Sequence, residues 1–183
     1  MDSLTGQLLI AGPALPDPNF WRTVVLVVEH TVEGAFGLVL NRPSETTVGD
    51  AVPQLATEFV VDLKDRLFVG GPVAPSAVVV LAQFEDPDDA AILAFDDVGV
   101  LGASSGAPEA VVGVRRGRAF VGHAGWGPDQ LDGELERGDW ITEAARGEDA
   151  FSDTPRELWS TVLRRKGGSY TLVARMPADP SSN

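Results

Sequence analysis

The apolar residues of this chain come in short runs that Gly, Pro and Asp interrupt, a pattern typical of a β-rich domain. Residues 23–29 read Thr-Val-Val-Leu-Val-Val-Glu, with apolar side chains in succession and without alternation. Such a run predicts a central strand that is covered on both faces. Glu33-Gly34 predicts a tight turn, after which residues 35–40 return as the second arm of a hairpin.

Further apolar runs predict the remaining strands of the sheet. They cover residues 7–11, 67–70, 77–83, 91–95 and 118–122. The segments between them are mostly short clusters of Asp, Gly and Pro. Short connections of this kind favour antiparallel pairing.

Two helices with recognisable ends are predicted in the second half of the chain. The first covers residues 128–137 and is followed by Gly138. The second starts at residues 154–157, Thr-Pro-Arg-Glu, which is the pattern of a capping box with proline at the first helical position. It is predicted to stop at Gly167, directly after three basic residues that complement the negative end of a helix. Hairpin-connected strands with helices gathered late predict an α+β domain.

Length and charge then narrow the function classes. The 183 residues favour a single domain over residues 1–176, followed by a disordered tail over residues 177–183. Asp and Glu number 27 against 14 Lys and Arg, which gives a formal net charge of −13. This charge opposes binding to nucleic acid phosphates and to anionic lipid. With no Cys and two His, no ordinary zinc constellation exists, and no metal or cofactor is predicted.

The N-terminus and the apolar runs bear on localisation. No basic segment followed by an apolar stretch opens the chain, which predicts a cytoplasmic protein. Fully apolar runs such as residues 24–28 are at most six residues long, far short of the roughly 20 residues that span a bilayer. The protein is therefore predicted to have no membrane segment.

The clearest catalytic motif is Gly-Ala-Ser-Ser-Gly at residues 102–106, which matches the nucleophile-elbow pattern with Ser104 as nucleophile. Its triad would need Glu109 as the acid and His123 as the base, although Glu109 stands too close to the serine for that fold. The alternative is a turn of small residues that leads into a short helix over residues 108–114. We therefore assign no catalytic residue and keep a serine hydrolase as an alternative.

Several segments resemble the YqgE/AlgH family of bacterial proteins. They are residues 6–26 (GQLLIAGPALPDPNFWRTVVL), 29–30 (EH), 34–43 (GAFGLVLNRP), 70–73 (GGPV), 122–128 (GHAGWGP), 130–131 (QL) and 158–159 (LW). The resemblance spans nearly the whole chain and implies an α+β fold with a curved, mostly antiparallel, barrel-like β-core flanked by a few helices. It implies no reaction, although members are often labelled as transcriptional regulators. His123 departs from the family pattern, which argues against a shared catalytic role for it.

Polar residues of the matching segments fall in turns or at strand ends, where binding groups tend to collect. Glycines there allow close backbone approach, and a tryptophan offers an apolar anchor. The candidate binding residues are Asp17, Asn19, Arg22, His30, Asn41, Arg42, Gly71, Trp126 and Gln130.

The leading hypothesis is a binding module that recognises a small anionic ligand or a protein partner through Arg22 and Arg42 in a cleft lined by these turns. In the alternative interpretation, the two arginines pair with Asp17 or Glu29 and only fix the turns. A direct or indirect transcriptional regulator is a further hypothesis. It is weakened by the acidic charge and by the absence of a helix-turn-helix pattern with a basic recognition helix.

Overall fold

The computed structural model describes residues 3–15, 17–52, 61–102 and 113–177. The strands are β1 (Gln7–Ala11), β2 (Val24–Thr31), β3 (Gly34–Val39), β4 (Pro43–Thr47), β5 (Arg66–Val69), β6 (Val73–Phe84), β7 (Ile92–Phe95), β8 (Val98–Val100), β9 (Val114–Trp126) and β10 (Trp140–Ala144). The helices are α1 (Val48–Ala51), α2 (Gln130–Glu136), α3 (Gly147–Ala150), α4 (Leu158–Lys166) and α5 (Tyr170–Val173). Single 3₁₀ turns lie at Pro18–Phe20, Pro87–Asp89 and Pro155–Glu157.

The strands form one sheet that is curved and not closed. Its main path runs β10-β1-β2-β3-β9-β6-β8-β7, and each neighbouring pair along it is antiparallel. Off this path β4 pairs with β5, which also lies parallel to β9. The predicted α+β class with a curved, mostly antiparallel sheet is confirmed.

The strand β2 is central and buried on both faces, as its unbroken apolar run predicts. Successive side chains of a strand point to opposite faces. Val24, Leu26 and Val28 accordingly belong to one hydrophobic core. Val25 and Val27 belong to the second core, on the other side of the sheet.

Each of these two cores is covered by a helix. Four apolar residues of α4, residues 158, 159, 162 and 163, are all buried in the first core. The indole Nε1 of Trp159 also donates to the carbonyl oxygen of Ala11 at 3.0 Å, which ties α4 to β1. On the opposite face, Leu131 of α2 packs into the second core.

The predicted capping box before α4 is wrong. Residues 155–157 form a 3₁₀ turn, and neither Thr154 nor Glu157 makes a side-chain capping hydrogen bond. The amide of Glu157 donates instead to the carbonyl oxygen of Thr154 at 3.0 Å, so the backbone already satisfies the donor that the threonine hydroxyl was expected to serve. The helix ends as predicted, at Gly167 with φ of +78°.

Two cations at the end of α4 hold the edge strand β10. Lys166 Nζ donates to the carbonyl oxygen of Thr142 at 2.7 Å, and Arg165 Nη2 donates to that of Ala144 at 3.2 Å. Arg165 also forms a two-pronged ion pair with the buried carboxylate of Asp149, with both N···O distances 2.8 Å. Hydrogen bonding to that carboxylate raises the pKa of Arg165. The basic end of α4 therefore fixes this helix against β10.

The sequence predictions at Ser104, at Glu109 and over most of residues 108–114 lie outside the described residues, as does the tail beyond residue 177. Within the described part of the chain, no helix is long and apolar enough to cross a bilayer.

Candidate functional site

A cleft lined by three arginines lies beside the end of β3 and the turn that precedes β2. Its walls are formed by Trp21, Arg22, Asn41, Arg42, Pro43, Val69 and Arg156, and its volume is about 530 Å³. We call it the arginine cleft. No carboxylate is among these lining residues.

Asn41 joins the two sides of the arginine cleft. Its Oδ1 accepts from the amide of Val24 at 2.9 Å, and its Nδ2 donates to the carbonyl oxygen of Arg22 at 2.8 Å. Both polar atoms of this side-chain amide are thus used to hold the end of the hairpin against the start of β2. Asn41 positions Arg22 and offers the cleft little free hydrogen-bonding capacity.

Arg22 adopts an unusual backbone conformation for a residue with a side chain. Its φ is +52°, in the left-handed region, which costs a non-glycine residue about 1–2 kcal/mol. Its guanidinium lies 4.2 Å from the centre of the Trp159 ring, and its Nη1 donates to the carbonyl oxygen of Met176 at 2.9 Å. Burial lowers the pKa of Arg22, since the charged group is partly removed from water.

Arg42 is held in a similar way. Its Nη2 donates to the carbonyl oxygen of Trp21 at 3.2 Å. Burial lowers the pKa of Arg42, and the charge of Asp17 opposes that shift. Among the described residues, neither Arg22 nor Arg42 has a carboxylate oxygen within 4.0 Å. The ion pairs with Asp17 or Glu29 that would only fix the turns are therefore not formed within this part of the chain.

The third arginine of the cleft comes from the segment before α4. Arg156 Nη2 lies 3.4 Å from Glu45 Oε1, and both side chains are largely exposed. An exposed pair of this kind stabilises a protein by at most about 1 kcal/mol, so the guanidinium can readily change partner.

Asp17 and Asn19 belong to the turn that leads to the cleft. The Oδ1 atom of Asp17 accepts from the amide of Asn19 at 2.8 Å and so caps the 3₁₀ turn at Pro18–Phe20. The side chain of Asn19 is exposed. Asp17 thus has a local structural contact in addition to its electrostatic effect on Arg42.

Trp126 and Gln130 lie in a separate cluster at α2, the helix that begins with Gln130. The Trp126 indole is only 7% exposed, and its Nε1 donates to Glu134 Oε2 at 2.9 Å. The Nε1 of Trp140 donates to the same oxygen at 2.8 Å, and Gln130 Nε2 donates to Glu134 Oε1 at 3.0 Å. The phenyl ring of Phe20 packs on both indoles. These contacts give Trp126 and Gln130 a structural role, and neither lines the arginine cleft.

His30 and Gly71 lie outside the cleft as well. His30 Nδ1 accepts from the amide of Leu4 at 3.2 Å, and its Nε2 lies 4.0 Å from Asp132 Oδ1. Gly71 has a φ of +152°, and a Cβ built there would lie 2.2 Å from the carbonyl carbon of His123. The glycine is therefore required by the close approach of two backbone segments.

Of the nine candidate residues, the structure brings Arg22, Asn41 and Arg42 into one cleft, with the charge of Asp17 acting on it. It also adds four lining residues that are not among the candidates: Trp21, Pro43, Val69 and Arg156. Trp21 stands next to Arg22 in the first matching segment, so its position offered a signal, whereas Arg156 was interpreted only as part of a helix start. Within the described ranges, no group of three or more His, Asp and Glu side chains is placed to hold a metal ion.

Comparisons with known proteins place this fold in a family. The family model described as AlgH-like matches residues 8–171. A UPF0301 protein of Streptomyces coelicolor is 41% identical over 192 residues, which cover 100% of this chain and 97% of that protein. A UPF0301 protein of Thermobifida fusca is 39% identical over 195 residues, covering 99% of this chain and 96% of the relative.

Two solved structures share the fold. The crystal structure of a Corynebacterium diphtheriae protein superposes with a TM-score of 0.81 at 28% identity, covering 96% of this chain and 93% of the other. The solution structure of the AlgH protein from Pseudomonas aeruginosa gives a TM-score of 0.69 at 29% identity, covering 96% and 95% of the two chains. The resemblance seen in the sequence is confirmed, and the chain belongs to the AlgH-like family.

Proposed function

We propose that this protein is a binding module whose arginine cleft takes an anionic ligand. The observation that carries the proposal is the segregation of charge. Among the described residues, three guanidinium groups and no carboxylate line one cleft of a chain whose formal net charge is −13. A concave site lined by one sign of charge attracts ligands of the opposite sign.

The burial and the hydrogen bonding of Arg22 and Arg42 support this proposal. Burial lowers the pKa of Arg22 and of Arg42, so each carries a positive charge that is partly desolvated. Within the described part of the chain, each donates one hydrogen bond to a main-chain carbonyl, whereas a guanidinium has five N–H donors. An anion in the cleft would compensate the charge and use the remaining donors. Carboxylate and phosphate groups match the planar fork of arginine best.

The cleft also combines charge with apolar walls. Trp21 is 38% exposed and Val69 is 40% exposed, both in contact with the same volume as the arginines. Binding sites for small ligands typically pair such apolar surface with a few polar groups that orient the ligand. The left-handed backbone of Arg22 fits this picture, because strained residues collect at sites where a precise placement is needed.

The test is a titration of the protein with inorganic phosphate and with acetate, followed by amide chemical shifts. Shifts are expected at the residues of the arginine cleft. Arg22→Gln and Arg42→Gln should each weaken binding about ten- to a hundredfold, since a hydrogen bond to a charged group contributes about 1.5–3 kcal/mol.

The matched control is Arg137→Gln, because Arg137 pairs with Asp139 and does not line the cleft. It should leave binding unchanged. Melting temperatures of all three variants show whether a loss of binding reflects a loss of folding. Equal affinity in Arg22→Gln, Arg42→Gln and the parent protein, or no binding of either anion, would overturn the proposal.

A further inference from the structure

A second, more apolar pocket adjoins the arginine cleft. Its walls include Pro13, Trp21, Arg22, Trp159, Met176 and Pro177, and its volume is about 200 Å³. Trp21 and Arg22 line both this pocket and the arginine cleft, so the two form neighbouring compartments that share one wall. We call it the tryptophan pocket.

The lining of the tryptophan pocket is mostly apolar, and two of its polar groups make hydrogen bonds within the protein. Trp159 Nε1 donates to the carbonyl oxygen of Ala11 at 3.0 Å, and Arg22 Nη1 donates to that of Met176 at 2.9 Å. The face of the Trp159 ring is covered by the guanidinium of Arg22 at 4.2 Å. What remains for an occupant is mostly apolar surface, which favours an occupant without hydrogen-bonding groups.

From this arrangement we infer that the ligand of the arginine cleft is an amphipathic anion. A carboxylate or phosphate head lies against Arg22 and Arg42, and an attached short apolar group enters the tryptophan pocket. This inference rests on the proposed function and specifies its ligand class. Charge complementarity fixes the position of the head, and the shared wall of Trp21 and Arg22 fixes the direction of the apolar group.

The size of the tryptophan pocket limits the apolar group. At about 200 Å³ it is smaller than the roughly 300–1,000 Å³ of typical small-molecule sites. It therefore suits a chain of a few carbons or a single small ring. A long acyl chain would extend beyond the pocket into solvent.

The test is a series of straight-chain carboxylates from acetate to octanoate and a parallel series of alkyl phosphates, measured by calorimetry. Affinity is expected to rise about fourfold for each methylene that enters the pocket and then to level off after a few carbons. Comparison of the two series shows which head group is preferred. 1-Hexanol, which has the tail without the charge, should bind at least tenfold more weakly than heptanoate.

Substitutions of two residues that line the tryptophan pocket test whether the effect of chain length arises there. Trp21→Ala and Met176→Ala should both flatten the dependence on chain length, and Met176→Ala, whose side chain lines the tryptophan pocket alone, should leave the binding of acetate and phosphate in place. Leu93→Ala is the matched control, because Leu93 is comparably exposed but lies in β7 outside both compartments. It should leave the dependence unchanged.

The outcomes separate the inference from the function on which it rests. Binding of acetate and phosphate with no gain from longer chains would overturn the inference and leave the anion site standing. A chain-length gain that survives in Trp21→Ala and Met176→Ala would also overturn it, since the tail would then lie elsewhere. If no anion of any length binds, the proposed function itself is wrong.

Discussion

Truncation of Asn41 tests how the arginine cleft is built. In Asn41→Ala, the amide of Val24 loses its acceptor at 2.9 Å and the carbonyl oxygen of Arg22 loses its donor at 2.8 Å. Val24 is fully buried, so water does not easily reach its amide. A buried donor left unsatisfied costs about 1–3 kcal/mol, and the second lost hydrogen bond costs about 1 kcal/mol more. The free energy of unfolding should therefore fall by about 2–4 kcal/mol.

The assay for this variant is equilibrium unfolding in urea at 25 °C. The control is Asn19→Ala, since Asn19 is exposed and its side chain makes no hydrogen bond with the described residues. The control should change the unfolding free energy by less than about 0.5 kcal/mol. A loss below about 1 kcal/mol in Asn41→Ala would refute the reasoning, because it would mean that water or a rearranged backbone replaces the side chain.

Three further substitutions test other parts of the fold. Gly71→Ala should strongly destabilise the protein, seen as a large drop in melting temperature, because its Cβ would lie 2.2 Å from the carbonyl carbon of His123. Glu134→Gln should lower the melting temperature and alter the fluorescence of Trp126 and Trp140, since one oxygen of the carboxylate accepts from both indoles. Burial lowers the pKa of His123 from its usual 6.5, so the folded state binds this proton less readily than the unfolded chain does. Protonation of His123 should therefore lower the free energy of unfolding as pH falls from about 6.5 through the lowered pKa. This loss should be absent in His123→Gln. If the parent protein and His123→Gln differ in unfolding free energy by the same amount at every pH, the reasoning is wrong.

Elements whose signal is local could be predicted from the sequence. The run that forms β2 and the hairpin to β3 is apolar and bounded by a turn, so the pattern alone identifies it. The strand β4, Pro43–Thr47, was missed because it begins with proline and is otherwise polar. The strand β10 was missed for another reason: its residues, Trp-Ile-Thr-Glu-Ala, lack the unbroken apolar run by which the other strands were predicted. Such a strand forms because of the partners it packs against more than because of its own composition.

The residues of the arginine cleft also differ in whether their proximity follows from a local pattern in the sequence. Arg22 and Asn41 come together because β2 and β3 are antiparallel, which places the start of one beside the end of the other. That proximity follows from the predicted hairpin. Arg156 arrives from the other end of the chain, where only the packing of α4 on the sheet brings it close. Trp126 was expected to face a ligand, but Glu134 and the aromatic rings under α2 enclose it.

The contacts between the end of α4 and β10 also affect the association of this protein with other copies of itself. An open sheet has edge strands whose free carbonyls can pair with a strand from another molecule. At β10, the carbonyl oxygens of Thr142 and Ala144 are already engaged by Lys166 and Arg165. An incoming strand would have to displace two cations before it could pair there. The basic end of α4 thus protects this edge against aggregation by strand addition.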